Sequence, residues 1–402
     1  MATPQEMLSG NPYGFYSAMR KGPRKLPFGP FEIWMLSRYE EVASGFKRPE
    51  LFSSIAFRET QPDANFAHLP KETLRELRAL MFPEVPSVIN SDPPEHARYR
   101  GLLNRGFTPR EMGKLEGRIR EITTQLVDGI LARGRTTDLV ADLTVPLPVT
   151  VIAELLGVDR TRHGDFKRWS DAFVNQARRD APIEPMLAAM REFNAYFAAE
   201  IERRRSDPSD DLISQLVHAD TAEGRLSPLE LLQFVRLLLV AGNETTTNLI
   251  GNAVIALLDH PAELARLRTE PALLQNAVEE ALRYDPPVQG LPRLTTAEVE
   301  LGGEKIPAGA RVMLMIGAAN RDPERWPEPD RFDVGRDTTG HLGFGFGIHY
   351  CLGSHLARLE SRVALEAIVT RLANLRLAGP VTRTANPILR GPASLPLAFD
   401  AA

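Results

Sequence analysis

The sequence is poor in cysteine, and it has no long apolar run and no large charge imbalance. Its 402 residues include one cysteine, Cys351, which excludes an intrachain disulfide and any zinc or iron–sulfur site built from several thiolates. No stretch approaches the roughly 18 uninterrupted apolar residues typical of a membrane-spanning helix. The net charge of −4 gives no indication of binding to nucleic acid or to a membrane surface.

The chain also lacks the signals that mark export or separate domains. Its first ten residues contain no basic segment followed by an apolar run, so we expect no signal peptide and a cytoplasmic protein. Length alone would suggest two or three domains, but no Gly/Ser linker or low-complexity tract separates independent patterns. We therefore expect a single domain over residues 1–402, and a monomer.

A glycine-rich segment precedes the lone cysteine. Gly343, Gly345 and Gly347 lie within five residues and allow left-handed or tight backbone conformations, which predicts a bulged loop. The loop leads Cys351 to the start of a helix predicted over 352–372, where amide N–H groups and the helix dipole favour a thiolate. For an isolated cysteine, a small buried apolar residue is the usual alternative.

The segment from Phe344 to Gly353 resembles the haem-binding loop of the cytochromes P450. It matches the pattern Phe-Gly-x-Gly-x-His-x-Cys-x-Gly at every fixed position. The resemblance implies one haem b bound through Cys351 as the metal ligand, with Phe344, His349 and Gly353 in the cofactor site. A single axial thiolate is one of the recognised ways to hold haem iron.

The resemblance covers essentially the whole chain and implies the cytochrome P450 fold, which is mainly α with a smaller β-rich lobe. In that fold a long central helix crosses over the haem. Here a capping box at Ser227 and Glu230 opens a helical pattern that continues to Asp259, far longer than the usual globular helix. Because we expect no membrane anchor, the chain looks like the soluble bacterial branch of the family, and its length leaves no room for a fused flavin reductase.

Polar residues interrupt the middle of this long helix at 240–248. A kink with its polar groups satisfied internally is one explanation, because glycine and threonine permit a local bulge. The stretch is also similar to the family's Ala-Gly-x-Asp/Glu-Thr oxygen-binding groove, which implies Glu244 as the catalytic acid and Thr245 as the catalytic alcohol. Cleavage of dioxygen requires delivered protons, and a carboxyl group beside a hydroxyl can supply them. Val240 and Ala241 should then border the substrate.

Three basic residues fit the family's contacts with the haem propionates. His96 and Arg100 are four residues apart in a helix that we expect Ser91 or Asp92 to cap, so they share one face. Two solvated surface residues are the alternative. The spacing resembles the family's propionate clamp, and arginine suits a carboxylate. Arg293 lies where relatives place a second propionate-binding arginine.

Glu280 and Arg283 form a Glu-x-x-Arg pattern in a helix predicted over 271–284. Such pairs are common on exposed helices, where they contribute only ~0.2–0.5 kcal/mol. The irregular, proline-rich stretch 320–332 resembles the family's meander, in which Arg331 would complete a buried triad. We assign that triad to folding and to the stability of the haem pocket.

Further positions are expected to line the substrate pocket. Gln289 should face it, and so should Ile388 at the apolar tip of a predicted turn, although a generic strand pair would account for either residue. The resemblance also implies that the irregular segment 52–90 caps the pocket, and that helices predicted over 160–177 and 183–205 form its lid.

The activity implied by the resemblance is that of a haem-thiolate monooxygenase. It would insert one atom of O2 into an apolar small molecule by hydroxylation or epoxidation. Electrons would come from NAD(P)H through a separate reductase and a ferredoxin or flavodoxin, since this chain has neither a flavin motif nor iron–sulfur ligands. A basic patch that could face an acidic electron donor, or could be a plain solvated face, comprises Arg98, Arg105, Arg110 and Lys114.

Two other functions stay open. A peroxide-driven hydroxylase is the nearest alternative among enzymes, and a non-catalytic haem-thiolate sensor or carrier is the alternative from another class. The presence of both Glu244 and Thr245 favours the dioxygen route, because a sensor needs no proton-delivery pair.

Overall fold

The computed structural model describes residues 10–20, 25–28, 31–56, 69–81, 85–174, 183–220, 224–384, 386 and 388–401. It divides into two compact units. Met1–Ala56, Met112–Leu147 and Thr245–Ala402 form the first, and Phe57–Glu111 and Pro148–Glu244 form the second. Parts of the predicted cap and lid, at 57–68, 82–84 and 175–177, lie outside the described residues. The single-domain expectation stays a prediction.

Helices dominate the described chain, which confirms the predicted class of mainly α with a smaller β-rich part. In chain order they are α1 (Tyr13–Met19), α2 (Tyr39–Lys47), α3 (Lys71–Met81), α4 (Glu95–Leu103), α5 (Pro109–Lys114), α6 (Glu116–Arg133), α7 (Pro146–Leu155), α8 (His163–Val174), α9 (Ile183–Ser206), α10 (Leu212–Val217), α11 (Pro228–Asp259), α12 (Pro261–Thr269), α13 (Leu274–Tyr284), α14 (Ile316–Ala319) and α15 (Ser354–Arg371). As far as the structure describes the chain, none of these helices has the length and apolarity required to cross a membrane.

The strands belong to the first unit. They are β1 (Lys25–Phe28), β2 (Phe31–Leu36), β3 (Phe52–Ser53), β4 (Thr136–Asp138), β5 (Leu291–Thr295), β6 (Val299–Leu301), β7 (Glu304–Ile306), β8 (Arg311–Leu314), β9 (Leu372–Leu377), β10 (Thr382–Arg383), β11 (Pro392–Ser394) and β12 (Pro396–Ala401). The largest sheet has the order β1-β2-β8-β5-β3, in which β2 and β8 are parallel and the other pairs are antiparallel.

One face of this sheet packs against α2. Leu36 of β2 and Leu314 of β8 join Val42 and Phe46 of α2 in a buried apolar cluster. A Cβ at Gly45 would lie 2.6 Å from the end of the Leu314 side chain, so a larger residue would displace Leu314 where the helix approaches the sheet. This packing fixes β5, which carries Arg293, and the end of α2, which contacts the cysteine loop.

Helix α15 is held against α6 by two ion pairs. Arg120 donates to Glu366 at 3.0 Å, and Arg362 donates to Glu116 at 2.8 Å. The three-stranded sheet β4-β12-β9 continues directly from the end of α15. Both ends of α15 are therefore anchored in the first unit, and its first turn follows the cysteine loop.

The described residues of the second unit are mainly helical. Helices α8 and α9 pack through aromatic side chains that include Phe166, Trp169, Phe193 and Phe197, all fully buried. The Phe193 and Phe197 ring centroids lie 4.6 Å apart. The predicted helices at 160–177 and 183–205 are thus present as α8 and α9 over the described residues, and their junction is apolar.

Helix α11 begins with the predicted capping box. Glu230 accepts from the Ser227 N–H at 2.6 Å, and the Glu230 N–H donates to Ser227 Oγ at 3.2 Å. The helix then continues without a bulge through its polar centre. Thr247 Oγ1 donates to the carbonyl of Thr144 at 2.7 Å and so finds its acceptor outside its own helix. The Thr247 hydroxyl therefore does not compete with the backbone amides for the carbonyls of its own helix.

Candidate active site

The segment before the lone cysteine is a bulged loop, as the glycines predict. Gly345 and Gly347 have φ values of 70° and 69°, in the left-handed region that favours glycine. A 3-10 turn at Gly347–His349 follows. The Cys351 N–H donates to the Phe344 carbonyl at 2.9 Å and closes the loop. The backbone therefore fixes the position of the thiol relative to the ring of Phe344.

Two of the glycines are also required by close packing. A Cβ at Gly343 would lie 2.8 Å from the Leu282 carbonyl, at the end of α13. A Cβ at Gly347 would lie 2.6 Å from the Phe46 carbonyl of α2. The loop is therefore held between two helices by backbone contacts that no larger residue allows.

Cys351 is partly buried, and α15 begins three residues after it, at Ser354. Gly353 is the N-cap residue of this 18-residue helix. The predicted helix start at 352 is thus two residues early. Amide groups and the dipole at a helix N-terminus favour negative charge, so this location supports a thiolate.

An ion-pair cluster that the sequence did not reveal lies beside the cysteine loop. Arg358 donates to Glu279 at 2.7 and 3.0 Å and to the Tyr350 hydroxyl at 3.1 Å, and its guanidinium carbon lies 4.5 Å from the centroid of Phe344. His341 Nε2 is 2.9 Å from Glu279. Burial alone would raise the pKa of Glu279, but hydrogen bonds from His341 and Arg358 lower it to about 2. The cluster orients the first turns of α15.

The first unit also positions two predicted cofactor contacts. His349 Nε2 lies 2.9 Å from Ser54 Oγ, which belongs to the segment 52–90 that is predicted to be irregular. Arg293 is buried on β5, donates to the Pro292 carbonyl at 2.8 Å, and lies 5.6 Å from the ring centroid of Phe46. Their contacts with haem stay predictions.

His96 and Arg100 lie on α4 in the second unit. The predicted cap by Ser91 or Asp92 is wrong, because Pro94 is the N-cap residue, and the Asp92 carbonyl accepts from the His96 N–H at 2.9 Å. His96 is buried. Burial and the nearby Arg100 charge lower the pKa of His96 to about 4, so the imidazole is neutral at pH 7.

The predicted acid and alcohol are consecutive residues of α11. Glu244 is partly buried, and burial raises its pKa to about 7. Thr245 is also partly buried. Val240 and Ala241 precede them by one turn, so Val240 shares a helix face with Glu244 and Ala241 shares one with Thr245. Ala241 is exposed and Val240 is half-buried.

The predicted triad is wrong in one member. Glu280 and Arg283 are completely buried and pair at 2.6 and 2.8 Å. The third member is Arg336, whose Nε donates to Glu280 at 3.2 Å. The Arg331 side chain is 54 % exposed and pairs with Glu328 at 3.3 Å. Only the Arg331 carbonyl joins the cluster, as an acceptor for Arg283, so its side chain extends towards solvent.

The prediction that Gln289 faces the substrate pocket is also wrong. Gln289 is 2 % exposed; its Oε1 accepts from the Tyr16 hydroxyl at 2.8 Å and its Nε2 donates to the Pro286 carbonyl at 2.7 Å. Both polar ends are used to hold the fold. Ile388 is half-buried in the predicted turn, where Asn386 Oδ1 accepts from its N–H at 2.9 Å, and its substrate contact stays a prediction.

The donor set fits an iron porphyrin better than a bare metal ion. Over the described ranges, no group of three or more His, Cys, Asp or Glu side chains could hold a metal ion. A porphyrin supplies the in-plane ligands of its iron, so the one thiolate available from Cys351 is sufficient. The glycine loop permits close backbone approach at the thiol, and the buried guanidinium of Arg293 is suited to a carboxylate.

The proteins that this chain resembles support the assignment of this site. The family model described as Cytochrome P450 matches residues 149–375. The chain is 42 % identical over 372 residues to vitamin D(3) 25-hydroxylase of Pseudonocardia autotrophica, covering 92 % of this chain and 88 % of that protein. It is 41 % identical over 378 residues to mycinamicin IV hydroxylase/epoxidase of Micromonospora griseorubida, covering 93 % and 91 %.

The similarity extends from the sequence to the fold. The solved structure of cytochrome P450 CYP109Q5 from Chondromyces apiculatus matches with a TM-score of 0.88 and 41 % identity, covering 99 % of this chain and 97 % of that one. These matches extend far beyond the cysteine loop and include both compact units. The chain belongs to the cytochrome P450 family and is a monooxygenase of the bacterial, haem-thiolate type.

Proposed function

We propose that this P450 inserts one atom of O2 into an apolar small molecule, by hydroxylation or epoxidation, with haem b as its cofactor. The observation that carries the proposal is the glycine loop, which fixes the only thiol ahead of α15 through the Cys351 to Phe344 hydrogen bond. When bound, the haem supplies the redox chemistry that activates O2. The residues that would hold it are Cys351, Phe344, His349, Gly353, Arg293, His96 and Arg100.

Glu244 and Thr245 are the residues we assign to proton delivery. Burial raises the pKa of Glu244 to about 7, so at neutral pH its carboxyl group is protonated part of the time and can release and regain a proton. Thr245 follows it directly in α11 and holds the proton at Oγ1. A pair with these properties supports the dioxygen route over the peroxide-driven one.

The substrate we propose is apolar. Val240, Ala241 and Ile388 are the lining residues assigned from the sequence, and aliphatic side chains favour apolar ligands. The name of one relative gives vitamin D(3), an apolar molecule, as its substrate. For this chain the proposal is likewise that the substrate is largely apolar.

Electrons would reach the haem from NAD(P)H through a separate reductase and a ferredoxin or flavodoxin. The single cysteine cannot build an iron–sulfur cluster. Of the four basic residues considered as a docking patch, Arg98 is neutralised by Glu230 at 2.5 Å. Arg105, Arg110 and Lys114 are exposed. Within the second unit, an acidic donor would therefore rely on Arg105 and Arg110 rather than on Arg98.

The absorption spectrum of the dithionite-reduced protein with carbon monoxide tests the cofactor assignment. We expect the strongly red-shifted Soret band of thiolate-ligated haem, and its loss in Cys351→Ser. A band at the position of imidazole-ligated haem in the unmodified protein would refute the assignment of Cys351.

The proton-delivery assignment is tested separately by Thr245→Ala. This variant should keep the thiolate spectrum and release more hydrogen peroxide per NAD(P)H consumed with surrogate redox partners. Unchanged coupling would remove Thr245 from the mechanism. Turnover with added peroxide but none with NAD(P)H and redox partners would favour the peroxide-driven alternative.

A further inference from the structure

Arg236, on α11 in the second unit, is a buried cation without a carboxylate beside it among the described residues. The residue is 8 % exposed. Its Nη2 donates to Asn194 Oδ1 of α9 at 2.8 Å, and its guanidinium carbon lies 5.7 Å from the ring centroid of Phe173 on α8. Nε and Nη1 are buried and have no hydrogen-bond partner in the part of the chain that the structure describes.

Arg204 is also deeply buried in this unit, but its environment is different. Its Nε donates to Asp211 at 2.9 Å, its Nη1 to Glu200, and its Nη2 to the Gly157 carbonyl at 2.9 Å. Removing a charged side chain from water is unfavourable unless an opposite charge and hydrogen bonds replace the solvent. Burial lowers the pKa of Arg236 to about 10, so it remains protonated at neutral pH without such compensation.

The position of Arg236 connects it with the proposed substrate. Residues 236, 240 and 243 share one face of α11, because they follow the i, i+4, i+7 spacing. Asn243 on this face donates through Nδ2 to Ser170 Oγ of α8, and its Oδ1 has no partner among the described residues. Arg236 therefore precedes Val240, which we assign to the substrate, by one helical turn, and its guanidinium lies at the junction with α8 and α9.

We propose that Arg236 binds the carboxylate of an apolar carboxylic acid and so determines the substrate class of this enzyme, an inference that rests on the proposed monooxygenase function. The anion supplies a counter-charge that the described residues lack, through charge-assisted hydrogen bonds from the guanidinium nitrogens that have no acceptor among those residues. Because protein atoms cover these nitrogens, α8 and α9 shift away from Arg236 when the acid enters.

A carboxylate fits this environment better than other anions. One arginine balances a single negative charge, whereas a phosphate group carries more charge than Arg236 can compensate. Phe173 and the aromatic side chains of α8 and α9 favour an apolar body for the ligand. A neutral alcohol or ester would leave the buried positive charge uncompensated.

Calorimetric titration of the holoenzyme with matched acids and esters tests the proposal. The probes are decanoic acid and 4-butylbenzoic acid, each beside its methyl ester. We expect at least one acid to bind about 10- to 100-fold more tightly than its ester. Arg236→Met should reduce that ratio to about one. Arg191→Met, which removes an exposed arginine from the same helix pair, should leave the ratio unchanged.

Thermal unfolding of the ligand-free protein distinguishes a binding role of Arg236 from a structural role. Methionine removes an uncompensated buried charge, so Arg236→Met should unfold at the same temperature as the unmodified protein or higher. If Arg236→Met unfolds at a lower temperature, Arg236→Lys is the deciding variant, because lysine keeps the positive charge. A retained preference of this variant for acid over ester supports recognition of charge, and loss of that preference overturns the proposal.

Two results would overturn the proposal directly. One is an equal affinity for acid and ester with both probe pairs, and the other is an undiminished acid preference in Arg236→Met. The carbon monoxide spectrum of the same preparation reports on the haem independently. A missing thiolate band would refute the proposed function without altering the calorimetric ratio, so the two failures can be told apart.

Discussion

The clusters around Glu280 and Arg236 differ in how far a buried charge is compensated by hydrogen-bond partners. In the first unit, Glu280 accepts hydrogen bonds from Arg283, from Arg336 and from the Asp333 N–H. In the second unit, Arg236 has one neutral amide acceptor, and two of its nitrogens have no partner among the described residues. The first arrangement is complete without a ligand, and the second is not.

This difference separates residues that stabilise the fold from residues that recognise a molecule. A buried pair whose hydrogen bonds are all satisfied holds irregular chain in place, and here it fixes the segment from Asn320 to Arg336 against α13. A buried charge without compensation reduces stability, and a protein retains it where binding supplies the missing partner. Substitutions should therefore have opposite effects on stability in the two clusters.

The largest effect is expected for Arg283→Met. It leaves the Glu280 carboxylate in the interior without its main partner, so we expect a loss of about 3–5 kcal/mol in the free energy of unfolding. Urea unfolding measures this loss, with Arg236→Met as the matched control because it removes the other type of buried arginine. Equal destabilisation by both substitutions would contradict the contrast between the clusters.

A smaller effect, dependent on pH, is expected for Glu360→Gln. Glu360 is buried in α15, its Oε2 has no partner in the described chain, and burial raises its pKa from 4.5 to about 8. Between these values the folded state keeps a proton that the unfolded chain releases, so the stability of the unmodified protein falls as pH rises. Above the folded pKa the loss is complete.

Glutamine does not titrate, so the variant lacks this decrease. We expect the stability difference between Glu360→Gln and the unmodified protein to shift in favour of the variant by roughly 2–4 kcal/mol from pH 4.5 to pH 8. Urea unfolding across that range measures the difference and cancels the contribution of Glu244, which has the same sign. A difference that does not vary with pH would show that Glu360 has a compensating partner.

The smallest effect distinguishes Arg336 from Arg331. Arg336→Ala removes a partner of the buried Glu280 and should cost about 1–3 kcal/mol. Arg331→Ala removes only exposed ion pairs and should cost less than about 1 kcal/mol. Thermal unfolding of the two variants side by side measures the contrast. The reverse order would restore Arg331 to the triad.

Sequence patterns predicted those features that depend on neighbouring residues. The cysteine loop follows from glycine conformations and a fixed motif, and α11 follows from a capping box and a long helical period. The resemblance to the family's meander predicts Arg331 as the third member, because irregular chain has no periodicity that tells which of two nearby arginines turns inward. The bond from Arg336 Nε to Glu280 decides this.

The remaining errors have a similar cause. The pocket assignment of Gln289 rests on its place four residues before Arg293, which does not tell what covers its side chain, and Tyr16, 273 residues away in sequence, covers it. The Glu279 cluster with Arg358 also depends on contacts distant in sequence. Arg236 did leave a signal: it is a lone charge inside the apolar run 234–241 of a helix expected to be buried.

Because the chain has a single cysteine, the fraction of molecules without haem can be measured by alkylation. Each chain carries one thiol, partly buried at the loop before α15. Iron ligation occupies that sulfur, whereas an unligated sulfur can be alkylated. The mass added by an alkylating reagent under native conditions therefore gives the fraction of molecules without haem, and every labelled molecule is labelled at the same atom.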